Sequence, residues 1–376
     1  MHHQNSIFCQ LLKVIPRHHF ERLVQANKAD FRVRNLRCWD QFVALLYAQF
    51  TGCNSLRELE SGFNAHQERH YHLGCHAIKR STLAEANSKR SVALYESLFS
   101  WLLNKAIPSN YSASEALNLI DSSTISLNQK LFHWADFRTK KNGVKLHLVF
   151  DPAADVPTYF SVTPAKKHDM KAAKKFPITK GAAYAFDRAY NCLKWWQELH
   201  DSGCTFVSRM KKNTKFKVQE QREISDESVR EDEVIALENQ KFTASLRRIV
   251  FYCKTREKEL VFVTNDLQKS ATEIADMYKE RWKIELFFKW IKQNLKIKKF
   301  LGNSENAVKI QIIVALISYL ILRILQQELP ISTTLKSLKD RIKATLFQRK
   351  TIDELFRPPD KANNINGLIQ LKLGGI

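Results

Sequence analysis

Three acidic residues occur where folding could bring them together. Asp121 follows the apolar segment LNLI, Asp187 follows AAYAF, and Glu285 lies in a segment of helical periodicity. An aspartate directly after a buried strand has its backbone direction set by buried neighbours, so both aspartates can stand at one rim of a sheet. Mg²⁺ and Mn²⁺ favour carboxylate, water and phosphate oxygens, and two ions about 3.5 to 4 Å apart stabilise the attacking and leaving oxygens of phosphoryl transfer. The three residues are therefore a candidate catalytic and metal site.

Each of these acids also has an ordinary structural interpretation. Asp121 could cap a turn through the serine pair that follows it, and Asp187 could pair with the adjacent Arg188. Glu285 could belong to a solvated helix face. Taken one at a time, the three acids leave both interpretations open.

The segment that contains Glu285 predicts one long helix. Ser270 and Glu273 have the spacing of a capping box, and Gly302 supplies a stop. At about 100° per residue, one stripe of this helix is apolar and is expected to be buried against a sheet. The stripe consists of Met277, Ile284, Phe288, Ile291 and Leu295.

A polar row runs beside this apolar stripe. Tyr278, Arg281, Glu285 and Lys292 fall within about 60° of one another and span about 21 Å. Phosphates on one DNA strand recur about every 3.4 Å along the duplex. The row can follow a strand and present one carboxylate to it, so we predict that Tyr278, Arg281 and Lys292 bind DNA.

Three regions surround these residues. Residues 1–110 carry apolar residues at three and four spacing, as in WDQFVALLYAQF, and predict an all-helical N-terminal DNA-binding region. Residues 111–302 mix β-branched and helical segments, which predicts an α/β catalytic domain with a β-rich insertion at about 210–266. Residues 303–376 predict C-terminal helices that end in a loose Pro- and Asn-rich tail.

The net charge points to a polyanionic partner. Lys and Arg number 60 against 38 Asp and Glu, a formal net charge of +22, and residues 267–376 carry 20 basic against 10 acidic side chains. Nucleic acid is therefore the expected partner. Seven cysteines without a C-x-x-C pair argue against a disulfide framework or a zinc ribbon and favour a reducing cytosol.

No membrane or secretory segment is expected. The N-terminus lacks a basic start followed by an apolar core, which a secretory signal requires. The longest apolar run, from Ile312 to Leu322, is too short to span a bilayer and predicts a buried core helix. We expect a cytoplasmic, nucleoid-associated protein.

The motifs around the three acids resemble those of bacterial insertion-sequence transposases of the DDE type. DSST at 121 and DRAY at 187 resemble the two aspartate motifs of that family. The family's Y-R-E-K signature is matched by Tyr278, Arg281, Glu285 and Lys292. Other similar strings are KLHLVFD, TPA at 163–165 with His168 and Asp169 after it, FVSRMKKN at 206–213 and RSTLAEANSKR at 80–90. The resemblance covers about residues 1–325.

This resemblance implies a fold and an activity. The fold is a ribonuclease H-like core with the two aspartates on adjacent strands, the glutamate on a later helix, and a β insertion between Asp187 and Glu285. The activity is cut-and-paste transposition, in which two Mg²⁺ or Mn²⁺ ions assist cleavage at terminal inverted repeats and joining to target DNA. A homodimer on paired ends is also implied. A nuclease that cuts without joining and a catalytically retired DNA-binding protein are the alternatives.

The N-terminal region contains a candidate recognition helix. Thr82 and Glu85 have capping-box spacing, which predicts a helix that carries Lys89 and Arg90 as DNA contacts. A solvated basic helix is the alternative interpretation. Because the region has its own helical character and an excess of basic residues, residues 1–110 are expected to fold alone.

Several other side chains could do chemistry but have commoner structural roles. His147 on a strand and His168 at a helix start are expected to be core and capping histidines. One group suits zinc by residue type but lacks paired ligand spacing; it consists of His66, His70, His72, Cys75 and His76. Four tryptophans could stack an unpaired base or pack in the core; they are Trp195, Trp196, Trp282 and Trp290.

Overall fold

The computed structural model describes residues 5–138, 141–238, 242–329 and 333–357. Within these ranges, helices from both ends of the chain pack against one mixed sheet. The predicted fold class, an α/β sheet between N-terminal and C-terminal helices, is confirmed. The predicted loose tail, from residue 358 onward, lies outside the described residues.

Seven α-helices precede the sheet in the part of the chain that the structure describes. Ser6 and Ser55 cap two of them by accepting hydrogen bonds from backbone N–H groups of the first turn. Gly52 ends the third at a φ of 86°, a left-handed conformation that glycine adopts without Cβ strain. The helices are α1 (Ile7–Lys13), α2 (Arg17–Ala26), α3 (Cys38–Thr51), α4 (Leu56–Asn64), α5 (His70–Leu73), α6 (Arg80–Lys89) and α7 (Val92–Ala106).

Helix α6 begins earlier than the capping-box pattern predicts. Its N-cap is Lys79 and its first residue is Arg80, so Thr82 lies inside the first turn. The Arg80 N–H donates to the carboxylate of Glu60, on α4, at 2.9 Å. A tertiary contact with Glu60 therefore satisfies a free backbone N–H group at the start of α6, a role that the sequence assigned to the pair Thr82 and Glu85.

Within the described residues, ten strands form a single sheet, and two α-helices lie among them in the chain. The first strand is apolar and fully buried at Leu119 and Ile120, where it crosses the core. The strands are β1 (Leu117–Leu127), β2 (Asp136–Arg138), β3 (Lys141–Asp151), β4 (Val156–Pro164), β5 (Ala183–Phe186), β6 (Thr205–Arg209), β7 (Phe216–Gln221), β8 (Val229–Leu237), β9 (Leu246–Cys253) and β10 (Lys258–Thr264). The two helices are α8 (Asp169–Ala173) and α9 (Leu193–Asp201).

The strand order puts the two aspartate motifs side by side. The order is β2-β3-β1-β5-β6-β10-β9-β8-β7, and β4 pairs with β3. β1 is antiparallel to β3 but parallel to β5, and β5 is parallel to β6. Parallel neighbours point the same way, so the residues that follow their paired segments meet at one rim. This agrees with the adjacent strands that the ribonuclease H-like core implies.

The predicted β-rich insertion continues the sheet. β10 pairs with β6, and β9, β8 and β7 follow outward in antiparallel order. Arg247 on β9 makes a bidentate pair with Asp232 on β8 at 2.8 and 2.6 Å, which neutralises a buried acid across the two strands. The segment is thus an extension of the sheet that is held in part by a buried ion pair between β8 and β9.

The long helix predicted from Ser270 is two helices. The predicted capping box of Ser270 and Glu273 is confirmed, but the helix ends at Glu280, and Arg281 forms a junction to the next one. The second helix ends at Asn294, so the predicted stop at Gly302 is wrong. The C-terminal helices are α10 (Ala271–Glu280), α11 (Trp282–Asn294), α12 (Glu305–Glu328) and α13 (Leu335–Thr345).

Burial explains the early end of α11. Leu295 is extended, with φ −118° and ψ 162°, and its N–H donates to the carbonyl of Ile291. Leu295 and Ile297 are both buried in the main core. Burying these two side chains turns the chain inward and offsets the loss of further helical hydrogen bonds.

Helix α12 is the central helix of the core. It is buried continuously from Ile310 to Leu322 and contacts α3, α6, α7, α11, α13 and β4. The helix is longer than the apolar run that the sequence predicted, and by length and composition it could cross a membrane. However, 89% of its most apolar segment is buried inside the fold. The prediction of a buried core helix is confirmed.

The N-terminal helices share their core with α12. Every residue of α3 from Cys38 to Phe50 is buried, and one hydrophobic cluster joins α1–α7 to α12 and α13. A helix that is apolar all round needs neighbours on every side. This shared core argues against the expectation that residues 1–110 fold alone.

We predict that a fragment of residues 1–110 has no cooperative thermal unfolding transition, because removal of α12 exposes the apolar faces of α3 and α7. Circular dichroism during heating measures the transition. Co-expression with residues 111–376 is the control and should recover a soluble, cooperatively folded complex. A sharp transition in the isolated fragment would contradict the shared-core interpretation.

Candidate active site

Asp121 lies at the point where β1 continues beyond the end of its pairing with β5. The last paired residues of the parallel strands are Ile120 and Phe186, so Asp121 and Asp187 both follow directly. β1 continues beyond this point against β3, with Asp121 opposite Leu148. Fully buried Ile120 and Phe186 hold both backbones in place. The structure therefore brings the two predicted aspartates to one rim of the sheet.

Backbone N–H groups orient each aspartate. The N–H of Ser122 donates to Asp121 Oδ1 at 2.7 Å, and the N–H of Arg188 donates to Asp187 Oδ1 at 2.6 Å. These are the local contacts of the structural interpretation, and they leave the second oxygen of each carboxylate for other partners. Local capping and a place at the rim are therefore compatible.

Glu285 is delivered to the same rim by α11. Ile284, Phe288 and Ile291 are buried as predicted, and the ring of Phe287 packs 4.9 Å from that of Phe150 on β3. Met277, on α10, is only partly buried. The apolar stripe anchors α11 over β1, and Glu285 projects from its first turn.

Arg281 lies between two of the three acids. Its Nη2 is 2.5 Å from Glu285 Oε1, and its Nη1 is 3.5 Å from Asp121 Oδ2. The guanidinium is 16% exposed, which strengthens both ion pairs relative to the surface. It therefore bridges the helix acid to the sheet acid.

The electrostatics of Asp121 show that the three acids act on one another. Burial, together with the charges of Glu285 and Asp187, raises the pKa of Asp121 to about 6, although the Ser122 hydrogen bond and the charge of Arg281 act in the opposite direction. Carboxylates that share a site resist simultaneous ionisation unless a cation neutralises them. Arg281 supplies one such cation.

The donor set fits divalent ions, although the side chains do not enclose one as they stand. Among the described residues no three carboxylate, imidazole or thiol groups converge closely enough to hold a metal. The three acids offer only hard oxygen donors, and one cationic side chain stands between two of them. Movement of Arg281 would open the site to ions.

Tyr278 lies beneath this guanidinium and is largely buried. Its side chain is 9% exposed, its ring lies 5.0 Å from that of Phe262 on β10, and Arg281 stacks over it at 5.5 Å. The sequence placed Tyr278 in the exposed polar row, but the junction at Arg281 changes the phase of the helix. The position favours support of Arg281 over direct contact with DNA.

Lys292 lies at the other end of the predicted row. Its Nζ donates to Ser123 Oγ at 2.6 Å and to the carbonyl of Thr124 at 3.1 Å. Both partners are on β1, just after Asp121. The lysine is therefore fixed against β1, two and three residues after Asp121, and it is partly open to solvent.

A fourth acidic residue, Asp169, contacts β1 next to Asp121. It accepts hydrogen bonds from Ser122 Oγ at 2.8 Å and from Lys145 Nζ at 3.0 Å, and His147 Nδ1 lies 3.6 Å away. Burial opposes ionisation, but the Ser122 and Lys145 bonds prevail and lower the pKa of Asp169. The sequence assigned Asp169 no role, and the only signal was its place after the TPA string.

The two predicted N-terminal contacts differ in accessibility. Lys89 is exposed at the end of α6 and pairs with Glu85 at 2.7 Å. Arg90 is 8% exposed, donates to Gln41 Oε1 at 3.1 Å and lies 3.8 Å from Asp30. Its buried guanidinium cannot face DNA in this conformation, so its position argues against the predicted contact.

The remaining candidates occupy structural positions. His147 is fully buried and bonds Thr163 at 2.9 Å, and His168 caps α8 through Met170 N. In the candidate zinc group, His70 stacks on Phe63, and no described residues of the group assemble around an ion. Trp195 and Trp196 are buried, Trp290 packs on Tyr319, and Trp282 is 50% exposed.

Comparison with known proteins agrees with this site. The family model described as the Transposase DDE domain matches residues 113–321, more than half of the chain, and a domain of unknown function matches residues 3–76. A protein of Sinorhizobium fredii named as a transposase is 36% identical over 286 residues, which is 74% of this chain and 80% of that protein.

Further relatives are named for insertion sequences. A Geobacillus stearothermophilus protein named as the transposase for an insertion sequence element is 30% identical over 55% of this chain and 56% of its own length. A similarly named Synechocystis protein is 25% identical over 65% of this chain and 71% of its own length. Among solved structures, a piggyBac transposase synaptic complex with hairpin DNA covers 95% of this chain and 83% of its own, at 12% identity and a TM-score of 0.47, a likeness too distant to establish a shared fold. On the family match and the first relative, this chain belongs to the DDE transposases, which are metal-dependent enzymes that act on DNA.

Proposed function

We propose that this transposase excises an insertion sequence at its terminal inverted repeats and joins it to target DNA at the site formed by Asp121, Asp187 and Glu285. The observation that carries the proposal is the convergence of a sheet-rim acid and a helix acid on one guanidinium, beside a second rim acid. Two Mg²⁺ ions, or Mn²⁺, are the proposed cofactors, since the donors are all carboxylate oxygens.

The residues divide the work by position. When bound, the ions would supply a positive charge that lowers the pKa of an attacking water or 3′-hydroxyl and stabilises the departing 3′-oxygen. Asp121 and Asp187 would bind the ions from the rigid rim of the sheet, and Glu285 would bind them from α11. Arg281 then exchanges its carboxylate partners for a phosphate of the DNA, with which its guanidinium makes bidentate bonds. Lys292 neutralises a neighbouring phosphate.

The two steps use the same chemistry. In the first, water attacks the scissile phosphorus and the element's 3′-oxygen leaves as a hydroxyl. In the second, that hydroxyl attacks a phosphorus of the target, and a target 3′-oxygen leaves. We propose that a homodimer holds two element ends in this reaction in the cytoplasm, on nucleoid DNA.

A strand-transfer assay on duplexes that carry the inverted repeats flanking the gene tests the proposed function. Cleavage without joined product would indicate the nuclease alternative, and absence of both activities the retired DNA-binding alternative.

Loss of any one of the three acids should abolish catalysis. Asp121→Asn, Asp187→Asn and Glu285→Gln each remove a charged donor but little volume, so we expect DNA affinity to stay within about threefold while cleavage falls by more than the roughly 10- to 100-fold typical of outer-shell losses. Gel-based cleavage and binding assays measure the two quantities. Glu280→Gln, on the neighbouring turn, is the matched control. Near wild-type cleavage by one triad variant would remove that residue from the site.

Arg281 should compete with metal for the acids. In Arg281→Ala the acids lose their internal cation, so we expect the free energy of unfolding in EDTA to fall by about 1 to 3 kcal/mol. An opposite charge nearby changes the proton affinity of a carboxylate by about 10-fold or more, and we expect Mn²⁺ affinity to rise by roughly 10-fold. Denaturant unfolding and Mn²⁺ titration by electron paramagnetic resonance measure these values. Arg188→Ala, at an exposed arginine beside Asp187, should change neither. Unchanged Mn²⁺ affinity in Arg281→Ala would contradict the exchange.

A further inference from the structure

A cleft rich in lysine opens beside the active site. It has a volume of about 340 Å³, and none of the described residues that line it is an aspartate or a glutamate. Six lysines line it: Lys292, Lys296, Lys298, Lys299, Lys339 and Lys343. Such a density of one charge on a concave surface concentrates the electrostatic potential and attracts anions.

Three distant parts of the chain build this lysine cleft. The end of α3 and residues 52–54 form one wall, the end of α11 and the loop after it form the second, and α13 forms the third. The walls touch, because Lys296 Nζ donates to Asn54 Oδ1 at 2.8 Å and a Cβ on Gly52 would meet Lys296 Cε at 3.3 Å. The cleft therefore exists only in the assembled fold.

Buried glutamines hold the lysine-bearing loop in place. Gln49 on α3 accepts from the N–H of Lys296 at 2.7 Å. Gln311 on α12 donates to the carbonyls of Lys296 and Lys299 at 2.7 and 2.9 Å and accepts from the N–H of Leu301 at 2.8 Å. Both glutamine side chains are 2% exposed. The loop is preorganised, so binding at the cleft does not require it to fold first.

The positive charge of the cleft is incompletely compensated. Burial lowers the pKa of Lys292, Lys296 and Lys339, and neighbouring lysines lower each of them further. The acids within reach stand at the edge: Glu58 acts on Lys296, and Asp340 lies 3.8 Å from Lys339. A polyanion in the cleft would relieve this repulsion.

We infer that the lysine cleft binds backbone phosphates of the DNA strand that passes through the active site. Lys292 belongs to both places: it lines the cleft and bonds β1 two and three residues after Asp121. It lies seven residues after Glu285 on α11, about 10 Å along the helix. That distance corresponds to about three nucleotides of one strand. The cleft thus continues the DNA path away from the reacting phosphate, over the N-terminal and C-terminal helices.

This inference rests on the proposed function but can be tested without catalysis. The variant Lys298→Gln, Lys299→Gln, Lys343→Gln removes three exposed charges and none of the residues placed in the active site. Binding to a random 30-base-pair duplex is measured in EDTA as a function of salt concentration. Each lost phosphate contact flattens the slope of log K against log salt by about 0.9, so we expect a flattening of up to about 2.7.

The matched control is Lys217→Gln, Lys254→Gln, Lys258→Gln, which removes three exposed charges on β7–β10 and none from the cleft. A second duplex that ends in the element's inverted repeat distinguishes the source of the strand. Loss of slope with both duplexes indicates a backbone site shared by element and target, and loss with one duplex assigns the cleft to that DNA. If the cleft variant matches the control variant with both duplexes, the inference is wrong. Because no step needs metal, an inactive triad would not affect this result.

Discussion

Carboxylates that are brought together must be neutralised, and this requirement organises the candidate active site. Asp121 and Asp187 meet because β1 and β5 are parallel neighbours, and Glu285 joins them from α11. The resulting excess of negative charge is reduced by Arg281, which is 16% exposed and bonded to two of the acids. The negative charge of the three carboxylates, which here attracts a guanidinium, would also attract divalent ions.

The break between α10 and α11 is part of this arrangement. α10 packs on β5 and β6, whereas α11 packs on β1, so one straight helix would not follow both parts of the twisted sheet. Arg281 stands at the junction with Tyr278 beneath it and Phe262 beneath the tyrosine. The break therefore aims the guanidinium at both acids from a supported position.

Helix α12 connects this site to the rest of the molecule. It packs against N-terminal helices, α11 and α13, and its Gln311 holds the loop that follows α11. Buried polar side chains of this kind specify one geometry, since each unsatisfied group would be costly. The N-terminal helices, the sheet and the lysine cleft are consequently parts of one framework.

The sequence by itself determined the class of fold and singled out the three acids that are proposed as the active site. The local patterns are two aspartates at strand ends and a glutamate at helical spacing from an arginine and a lysine. Such patterns can be recognised without knowledge of the tertiary structure. The family motifs lie in the same short segments. The capping box at Ser270 and the buried stripe of α11 were predictable for the same reason.

Only the tertiary structure decided what depends on contacts between distant segments. A hydrogen bond to Glu60 accompanies a start of α6 earlier than predicted, and the burial of Leu295 and Ile297 ends α11 early. Packing against Phe262 buries Tyr278, which the sequence had assigned to the polar row. Gln41 and Asp30 buried Arg90, which the sequence had placed against DNA. The lysine cleft could not be read from the sequence, because its walls lie up to about 290 residues apart in the chain and are joined by buried hydrogen bonds that leave no local pattern.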